Sequence, residues 1–313
     1  MSYILNRIAI VGTGLIGTSI GLALRRRSRG VHIAGWDRAR ANAKSARLRG
    51  ALTSVAASLG AAVAGADLIV LAAPLRAIEK LIPRVLAIAP SGTLVLDVGP
   101  LKERVAAIAG VALRSKYSER TAVRRKSEHR GALFVAGHPL AGSERHGPGA
   151  ASADLFEGRP FALFAPEQTH RSLALRKAET VVRALGAVPV WLEPSAHDRA
   201  VASTSALPQL ASIALALASW RMLGRNGPKL AGPGFDGATR LADSPFHVWE
   251  AALFENARNV RRALLALERH VAGLAKVLGR GDRRKMSNLF RQAAAARRRI
   301  LEISPRSKRP RNS

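Results

Sequence analysis

Short apolar runs alternate with helical stretches through the first part of the chain. The runs occupy residues 7–11, 32–36, 67–72, 93–98, 133–136, 161–164 and 188–191. A continuous apolar run is typical of a strand that is buried on both faces, as the strands of parallel sheets are. Helices between such strands indicate right-handed crossovers. The pattern therefore predicts an α/β domain with a doubly wound, Rossmann-type parallel sheet.

The pattern changes after Glu193, where the strand-like runs stop. Residues 200–223, 247–278 and 286–300 are rich in Ala, Leu and Arg at helical spacing, and Gly/Pro clusters separate them. We therefore expect a second, all-α domain. The predicted boundaries are 1–192 for the Rossmann-type domain, 193–300 for the helical domain and 301–313 for a basic tail that we expect to be disordered.

The composition excludes several classes of protein. Among 313 residues there is no cysteine, so disulfide scaffolds, zinc–cysteine sites, iron–sulfur clusters and thiol catalysis are ruled out. Apolar residues make up 48% of the chain, which is enough for folded cores. Fifty Lys and Arg face 21 Asp and Glu, so the formal net charge is +29. Such a charge is compatible with nucleic acid, an acidic membrane or an anionic small molecule as partner.

Much of the positive charge is concentrated in two segments, residues 114–130 and the tail from Arg297 onward. Neither segment contains the interleaved aromatic residues with which proteins stack on single-stranded nucleic acid. We therefore expect both segments to be solvated, and we do not expect nucleic acid as the main partner.

Neither a targeting segment nor a membrane span is expected. Residues 1–7 lead into the first apolar run without the long hydrophobic stretch and the cleavage site of a signal peptide. The apolar stretch 206–220 is shorter than the roughly 20 residues that span a bilayer, and Pro208 and Gln209 interrupt it. The sequence thus indicates a cytoplasmic protein.

A glycine-rich loop, GTGLIG at residues 12–17, joins the first strand to the first helix. Its first glycine permits a tight turn, its second lets the backbone approach a pyrophosphate, and its third lets helix and strand pack closely. The free N–H groups and the dipole of the helix face the anion. The loop predicts a dinucleotide site, and the residues expected to contact the cofactor are Gly12, Gly14, Leu15, Ile16, Gly17, Asp37, Arg38 and Pro74.

Asp37 ends the second strand, where the identity of the cofactor is decided. A carboxylate there accepts hydrogen bonds from both ribose hydroxyls and repels a 2′-phosphate, so NAD is favoured. The neighbouring Arg38 leaves NADP open, because its guanidinium could hold that phosphate.

Four blocks of sequence carry a resemblance to a known family. They are VGTGLIGTS at 11–19, DVGPLK at 97–102, GHPLAGSE at 137–144, and a fourth block that runs from HDR at 197–199 through SALP at 205–208 to TR at 239–240. In this order they resemble the prephenate/arogenate dehydrogenase family of tyrosine biosynthesis, and the third block is the most specific. The resemblance implies an NAD-dependent oxidative decarboxylation of prephenate or arogenate, and a helical domain through which the enzyme forms a homodimer.

The resemblance also implies a catalytic site. The family's catalytic histidine falls on His138, which follows a predicted strand and so lies at the carboxyl edge of the sheet, where such sheets bind ligands. An unperturbed imidazole has a pKa of about 6.5, so it is mostly neutral and able to accept a proton. The matching arginine is Arg240, which would hold a substrate carboxylate bidentately. The other residues expected to border the substrate are Ser143, Glu144 and Gln209, and no metal is expected.

Several positions depart from the family's pattern. Pro100 replaces a serine whose hydroxyl would help to orient the histidine, and Ala206 and Gln209 replace two histidines. The acid that would brace Arg240 is shifted by one position or absent. These differences leave open the choice between prephenate and arogenate, and whether activity is reduced. Lys102 is expected either to meet an anion or to lie on the surface at the start of a helix.

Two other functions remain as alternatives. A related β-hydroxyacid or imine-type dehydrogenase would share the glycine loop and the helical domain, but it gives no reason for the GHPLAGSE run. A basic nucleic-acid-binding protein on a dehydrogenase fold would explain the charge, and its binding would weaken steeply as salt rises.

Overall fold

A computed structural model describes residues 5–27, 30–121, 131–142, 146–167 and 171–305, of which 115–121 are described by their backbone alone. Ser143, Glu144, the part of the basic segment from 122 to 130, and the tail from 306 onward lie outside the described residues. The chain divides into two compact units, one that ends at His197 and one that runs from Asp198 to Pro305.

Within the described residues, the first unit contains one eight-stranded sheet, in the order β3-β2-β1-β4-β5-β6-β7-β8. The winding of the chain reverses between β1 and β4, which places a topological switch point at the carboxyl ends of these strands. Neighbouring strands from β3 to β6 are parallel. The strands are β1 Arg7–Val11, β2 His32–Trp36, β3 Ser54–Val55, β4 Leu68–Leu71, β5 Leu94–Asp97, β6 Leu133–Pro139, β7 Pro160–Phe164 and β8 Val188–Trp191.

Helices connect these strands and pack on the sheet. Apolar strand residues such as Ile10, Val70 and Leu96 are fully buried in the resulting core, as continuous apolar runs require. The helices of this part of the chain are α1 Leu15–Arg27, α2 Arg40–Leu48, α3 Leu59–Val63, α4 Leu75–Ile88, α5 Glu103–Thr121, α6 Arg171–Ala184 and α7 Pro194–Val201.

The sheet differs from the prediction at β6, which continues to Pro139 instead of stopping at Ala136. Within the parallel-dominated sheet that the sequence predicts, β7 runs antiparallel to β6. The two observations have one cause. β6 pairs with β5 only as far as Ala136. From Ala136 to Pro139 it pairs with β7, and His138 lies opposite Ala162. The extension carries His138 past the carboxyl end of β5.

The second unit is helical throughout its regular structure, as predicted. A π-helical turn at Ala202–Ala206 precedes the remaining helices, and Val260 packs against Ala202 and Ala206 in a small core. The helices are α8 Leu207–Met222, α9 Pro233–Thr239, α10 Phe246–Phe254, α11 Ala257–Gly279 and α12 Arg283–Ile303. The single helix expected over 247–278 is divided at Asn256, which is buried and uses its side chain to contact Asp198.

Pro208 does not interrupt the helical stretch that contains it, so the helix predicted over 200–223 is continuous, whereas the break expected in the apolar stretch 206–220 is not observed. α7, the π turn and α8 follow one another without a break from Pro194 to Met222. Proline lacks an N–H and clashes with the carbonyl four residues earlier, and the wider π turn just before it accommodates both features. By length and composition alone this stretch could cross a membrane, and 28% of its most apolar window is buried in the single chain.

Large apolar side chains are exposed along the second unit. Trp220 is 72% exposed and Leu278 is 69% exposed. Other exposed apolar residues of this unit include Leu217, Met222, Leu230, Phe254, Val271, Phe290 and Ile303. A partner that covered these side chains would remove apolar area from water.

Candidate active site

The glycine loop after β1 has the geometry that its three glycines predict. Gly12 adopts φ +95°, and a Cβ there would lie 2.5 Å from the carbonyl oxygen of Ala72. A Cβ on Gly17 would collide with the carbonyl oxygen of Gly12. A Cβ on Gly14 would instead meet no atom within 4 Å, so this position faces open space. A ligand can therefore approach the backbone at Gly14.

Asp37 lies directly after β2 and reaches across to the loop. Its Oδ2 accepts hydrogen bonds from the backbone N–H of Thr13 at 2.7 Å and from the Thr13 hydroxyl at 3.1 Å. Its Oδ1 accepts one from the N–H of Ala39 at 2.8 Å. Carboxylate oxygens carry further lone pairs, so the side chain can still accept from ribose hydroxyls. The loop and Asp37 thus fit a dinucleotide.

The other residues predicted to contact a cofactor lie at the same edge of the sheet. Leu15 and Ile16 begin α1 and are partly buried, whereas Arg38 is exposed beside Asp37. Pro74 is exposed and precedes α4, which follows β4. Since β2, β1 and β4 are neighbours, these positions surround the switch point of the sheet.

His138 is paired with a second histidine. Its Nδ1 lies 2.9 Å from Nε2 of His197, and the two rings meet edge to face. His138 extends from β6, and His197 is buried on α7, whose backbone N–H at this residue donates to the carbonyl of Glu193. The pairing fixes the ring of His138 and leaves its Nε2 as the nitrogen that can face a ligand.

The environment of His138 keeps its imidazole neutral. Removal from water lowers the pKa of His138 well below the ordinary value of 6.5, and nearby His197 and Lys102 lower it further. Burial disfavours the charged form, and neighbouring positive charges add to that effect. His138 is therefore a base that stays unprotonated at neutral pH.

A buried ion pair holds the strand segment that carries His138. The ammonium group of Lys102 donates to Oδ2 of Asp97 and, at 2.6 Å, to the carbonyl oxygen of Gly137. The same carboxylate oxygen accepts from the N–H of Gly137 at 3.3 Å, and Oδ1 accepts from the N–H of Gly99 at 2.7 Å. The backbone N–H and the carbonyl of Gly137, the residue before His138, are therefore both hydrogen-bonded to this ion pair. Burial raises the pKa of Asp97, and the ammonium of Lys102 opposes that rise.

Lys102 is 1% exposed, so of the two expectations the surface position is wrong, and the anion that Lys102 meets is the carboxylate of Asp97. Its partner Asp97 is fully buried at the end of β5. A lysine and an aspartate in such a place must neutralise each other, because an isolated buried charge is very costly. Their DVGPLK spacing was visible in the sequence, but their burial was not.

Pro100 lies in the loop between β5 and α5 and offers no hydrogen-bond donor. The orienting contact seen at His138 comes instead from His197. Sequence reasoning quoted His197 only as the first residue of the fourth block and assigned it no role. The signal that could have identified it is its place at the head of that block.

The predicted substrate residues of the helical unit lie close to each other. Arg240 is exposed and begins a short 3₁₀ helix, Arg240–Asp243. Gln209 is buried on α8, and its Nε2 donates to the carbonyl oxygen of Leu241 at 2.7 Å. Gln209 therefore fixes the segment that presents Arg240. Among the described residues no atom pairs with Oε1 of Gln209.

These features together define a class of protein. A doubly wound sheet with a glycine loop, a carboxylate after β2 and a neutral histidine at the carboxyl edge is the arrangement of a nicotinamide-dependent dehydrogenase. Among the described residues no group of three His, Asp or Glu side chains could hold a metal ion.

Comparison with known proteins identifies the family. Residues 20–191 match the family described as "Prephenate dehydrogenase, nucleotide-binding domain", and residues 193–292 match "Prephenate dehydrogenase, dimerization domain". The chain belongs to the prephenate dehydrogenase family. It is an NAD-dependent oxidoreductase of the kind that carries out oxidative decarboxylation in tyrosine biosynthesis, as the sequence blocks predicted.

Three relatives illustrate the match. "Probable prephenate dehydrogenase NovF" of Streptomyces niveus is 34% identical over 287 residues, which are 86% of this chain and 68% of that protein. The crystal structure of Synechocystis arogenate dehydrogenase is 25% identical with a TM-score of 0.75, over 94% of this chain and 99% of that one. Prephenate dehydrogenase from A. aeolicus, in complex with hydroxyphenyl propionate and NAD+, has a TM-score of 0.79 at 24% identity, over 95% and 99% of the two chains.

The family assignment decides among the functions left open by the sequence. It confirms the predicted fold, cofactor and class of enzyme. The β-hydroxyacid or imine-type dehydrogenase is set aside, because the matching family covers both units of this chain.

Proposed function

We propose that this chain oxidises prephenate or arogenate with NAD, using His138 as the base. The observation that carries the proposal is the hydrogen bond between His138 and His197 at the carboxyl edge of the sheet. It holds a neutral imidazole at the same edge of the sheet as the glycine loop and Asp37, which fit the dinucleotide.

His138 takes the proton of the ring hydroxyl at its Nε2. For this, Nδ1 must carry the hydrogen and donate it to Nε2 of His197, which fixes the tautomer. When His138 becomes an imidazolium, the same bond keeps its ring in the orientation that returns the proton. His138 thus acts as a general base, a role worth roughly 10²–10⁴-fold in rate.

The reaction balances without any further reactant. A nicotinamide held by the glycine loop and Asp37 would supply the acceptor for the hydride that leaves the ring carbon bearing the hydroxyl. The hydroxyl proton goes to His138, and the ring carboxylate then leaves as carbon dioxide. The electron pair of the broken carbon–carbon bond makes the ring aromatic, and the phenolate oxygen takes the proton back from His138.

Gly12, Gly14 and Gly17 with Asp37 would hold the dinucleotide, because these are the positions where the backbone is open and a carboxylate is placed for the ribose. Leu15, Ile16, Arg38 and Pro74 remain predicted contacts at the same edge. Since Asp37 would repel a 2′-phosphate, the proposed preference is NAD over NADP, although Arg38 leaves some use of NADP open.

Arg240 is proposed to bind a carboxylate of the substrate. A guanidinium presents a planar fork that matches a carboxylate bidentately, and the contact of Gln209 with Leu241 supports the segment on which Arg240 lies. Ser143 and Glu144 remain predicted to border the substrate. The proposal covers both substrates, since they differ only in a keto or amino group on the side chain.

The proposed assembly is a cytoplasmic homodimer that binds neither membrane nor nucleic acid. The matched dimerisation domain and the exposed apolar side chains of the helical unit support it, because a second copy would cover surface such as Trp220 and Leu278. A second copy of the chain would also bury apolar side chains of the stretch Pro194–Met222, so this stretch does not require a membrane.

The substrate is tested by steady-state kinetics with prephenate and arogenate, each with NAD and with NADP. We expect reduced nicotinamide with at least one substrate and a higher kcat/KM with NAD. Turnover of neither substrate would contradict the proposal, and a clear preference for NADP would contradict the role of Asp37.

A further inference from the structure

Five arginines line one groove of the helical unit. The groove has a volume of about 560 Å³, and no Asp or Glu is among the residues that line it. The lining residues are Arg199, Arg258, Asn259, Arg261, Arg262, Leu265 and Arg269. None of them belongs to the predicted cofactor or substrate residues, so the groove is not explained by the reaction.

The groove is a consequence of how α11 is placed. Asn256, at the start of α11, is buried, and its Nδ2 donates to the carbonyl oxygen of Asp198 at 2.7 Å. Nδ2 of Asn259 in turn donates to Oδ1 of Asn256 at 2.8 Å. These bonds hold the beginning of α11 next to Asp198, the residue before Arg199.

The arginines of α11 share one helix face. Arg258, Arg262 and Arg269 are separated by four and seven residues, a spacing that places side chains on one side of a helix. Val260 is buried against the small core and orients the helix. The arginine face therefore points away from that core and toward the groove.

In the part of the chain that the structure describes, these guanidinium groups have no carboxylate partners. Among the described residues none of the five arginines forms an ion pair or a hydrogen bond through its side chain. Like charges gathered in one groove repel each other, and a bound anion relieves that repulsion. The arrangement is complementary to a compact ligand with several negative charges.

We propose that this groove binds a small polyanion that carries three or more phosphate groups, and so more negative charge than a dinucleotide. Its volume falls within the roughly 300–1,000 Å³ of small-molecule sites. Arginine forks bind phosphate bidentately, and a phosphate monoester carries a charge of roughly −1.5 to −2 at neutral pH. A polyphosphate therefore supplies the charge that five arginines match within this volume, which a monocarboxylate does not.

The test is calorimetric titration of the full-length chain with tripolyphosphate in the presence of saturating NAD, so that the dinucleotide site is filled. The groove variant is Arg258→Gln/Arg262→Gln/Arg269→Gln. The matched control is Arg297→Gln/Arg298→Gln/Arg299→Gln, which removes the same charge from an exposed part of α12 outside the groove. Circular dichroism and thermal unfolding verify that both variants fold.

We expect tripolyphosphate to bind the unaltered chain and the Kd of the groove variant to rise about tenfold or more. The Kd of the control should stay within about threefold, since only screened long-range charge is lost. Equal weakening in both variants would overturn the proposal, as it would reveal diffuse attraction. Absence of binding would overturn it too, and so would binding of a DNA duplex in the groove without binding of tripolyphosphate.

Discussion

The rings of His138 and His197 are joined by one hydrogen bond of 2.9 Å between Nδ1 and Nε2. The bond connects the carboxyl end of β6 to α7. It uses Nδ1 of His138, so Nε2 is the ring nitrogen that remains for the substrate. In a chain where Pro100 can donate nothing, this pairing is the orienting contact of the base. The predictions below follow from it and from the groups around it.

Replacing the base itself should abolish the reaction. In His138→Asn we expect kcat to fall by about 10²–10⁴-fold, the usual loss when a general base is removed, while NAD still binds. Turnover is measured by formation of reduced nicotinamide, and cofactor binding by calorimetry. The matched control is His270→Asn on exposed α11, which should retain full turnover. Comparable turnover in His138→Asn would remove the assigned role.

Replacing His197 should change the pH dependence of the reaction. His197 lowers the pKa of His138, so its loss in His197→Ala raises that pKa, and the acid limb of the kcat/KM profile moves to higher pH. Misorientation of the base should also lower kcat by up to about 100-fold. His197→Gln, whose Oε1 can accept the bond from Nδ1, should recover part of the loss. An unshifted acid limb in His197→Ala would show that His197 acts only in folding.

Removing Lys102 should destabilise the first unit. In Lys102→Met the carboxylate of Asp97 is left buried and unpaired, which costs about 3–5 kcal/mol. The double variant Asp97→Asn/Lys102→Met should recover much of this, because no buried charge remains. The free energy of unfolding is measured by urea denaturation. If the double variant were as unstable as Lys102→Met, the unpaired charge would not be the cause.

The same variant should show an unusual dependence of stability on pH. Burial already raises the pKa of Asp97, and without Lys102 it rises further. Below the unfolded-state pKa near 3.8 the carboxyl group is protonated in both states and costs nothing. As pH rises toward the raised pKa, the unfolded chain ionises more easily, so the free energy of unfolding of Lys102→Met falls relative to the unaltered chain. A difference that stays constant with pH would contradict this origin.

Asp37 should control the choice of cofactor. In Asp37→Ala we expect the KM for NAD to rise by about 10- to 100-fold, as hydrogen bonds to a charged group are worth roughly 1.5–3 kcal/mol. The KM for NADP should rise less, because the repulsion of the 2′-phosphate is removed as well. Arg38→Ala is the matched control and should weaken NADP without weakening NAD. Equal losses for both cofactors in Asp37→Ala would indicate only a disturbed loop.

Local patterns in the sequence were sufficient for the glycine loop and for seven of the eight strands, whereas β3, with only two residues, was missed. β1 is a continuous apolar run, Gly12 takes a positive φ, and Asp37 directly follows β2, and each of these features depends on residues close together in the chain. The class of enzyme was predicted from the four sequence blocks, which are also local patterns. The predicted roles of Arg240 and His138 stay predictions.

Features that depend on distant residues could not be predicted in the same way. Lys102 is buried because Asp97 and Gly137 meet it from two neighbouring strands, and lysine alone usually indicates a surface position. β6 was predicted to stop at Ala136, but pairing with β7 keeps the chain extended to Pro139. The helix continues through Pro208 because a π turn precedes it.

The most direct test of the account is a single assay of the full-length chain with saturating NAD, supplied with prephenate or with arogenate. The account predicts that reduced nicotinamide and carbon dioxide form in equal amounts with at least one substrate, together with 4-hydroxyphenylpyruvate from prephenate or tyrosine from arogenate. A chain that binds NAD and yet forms neither product from either substrate would contradict it.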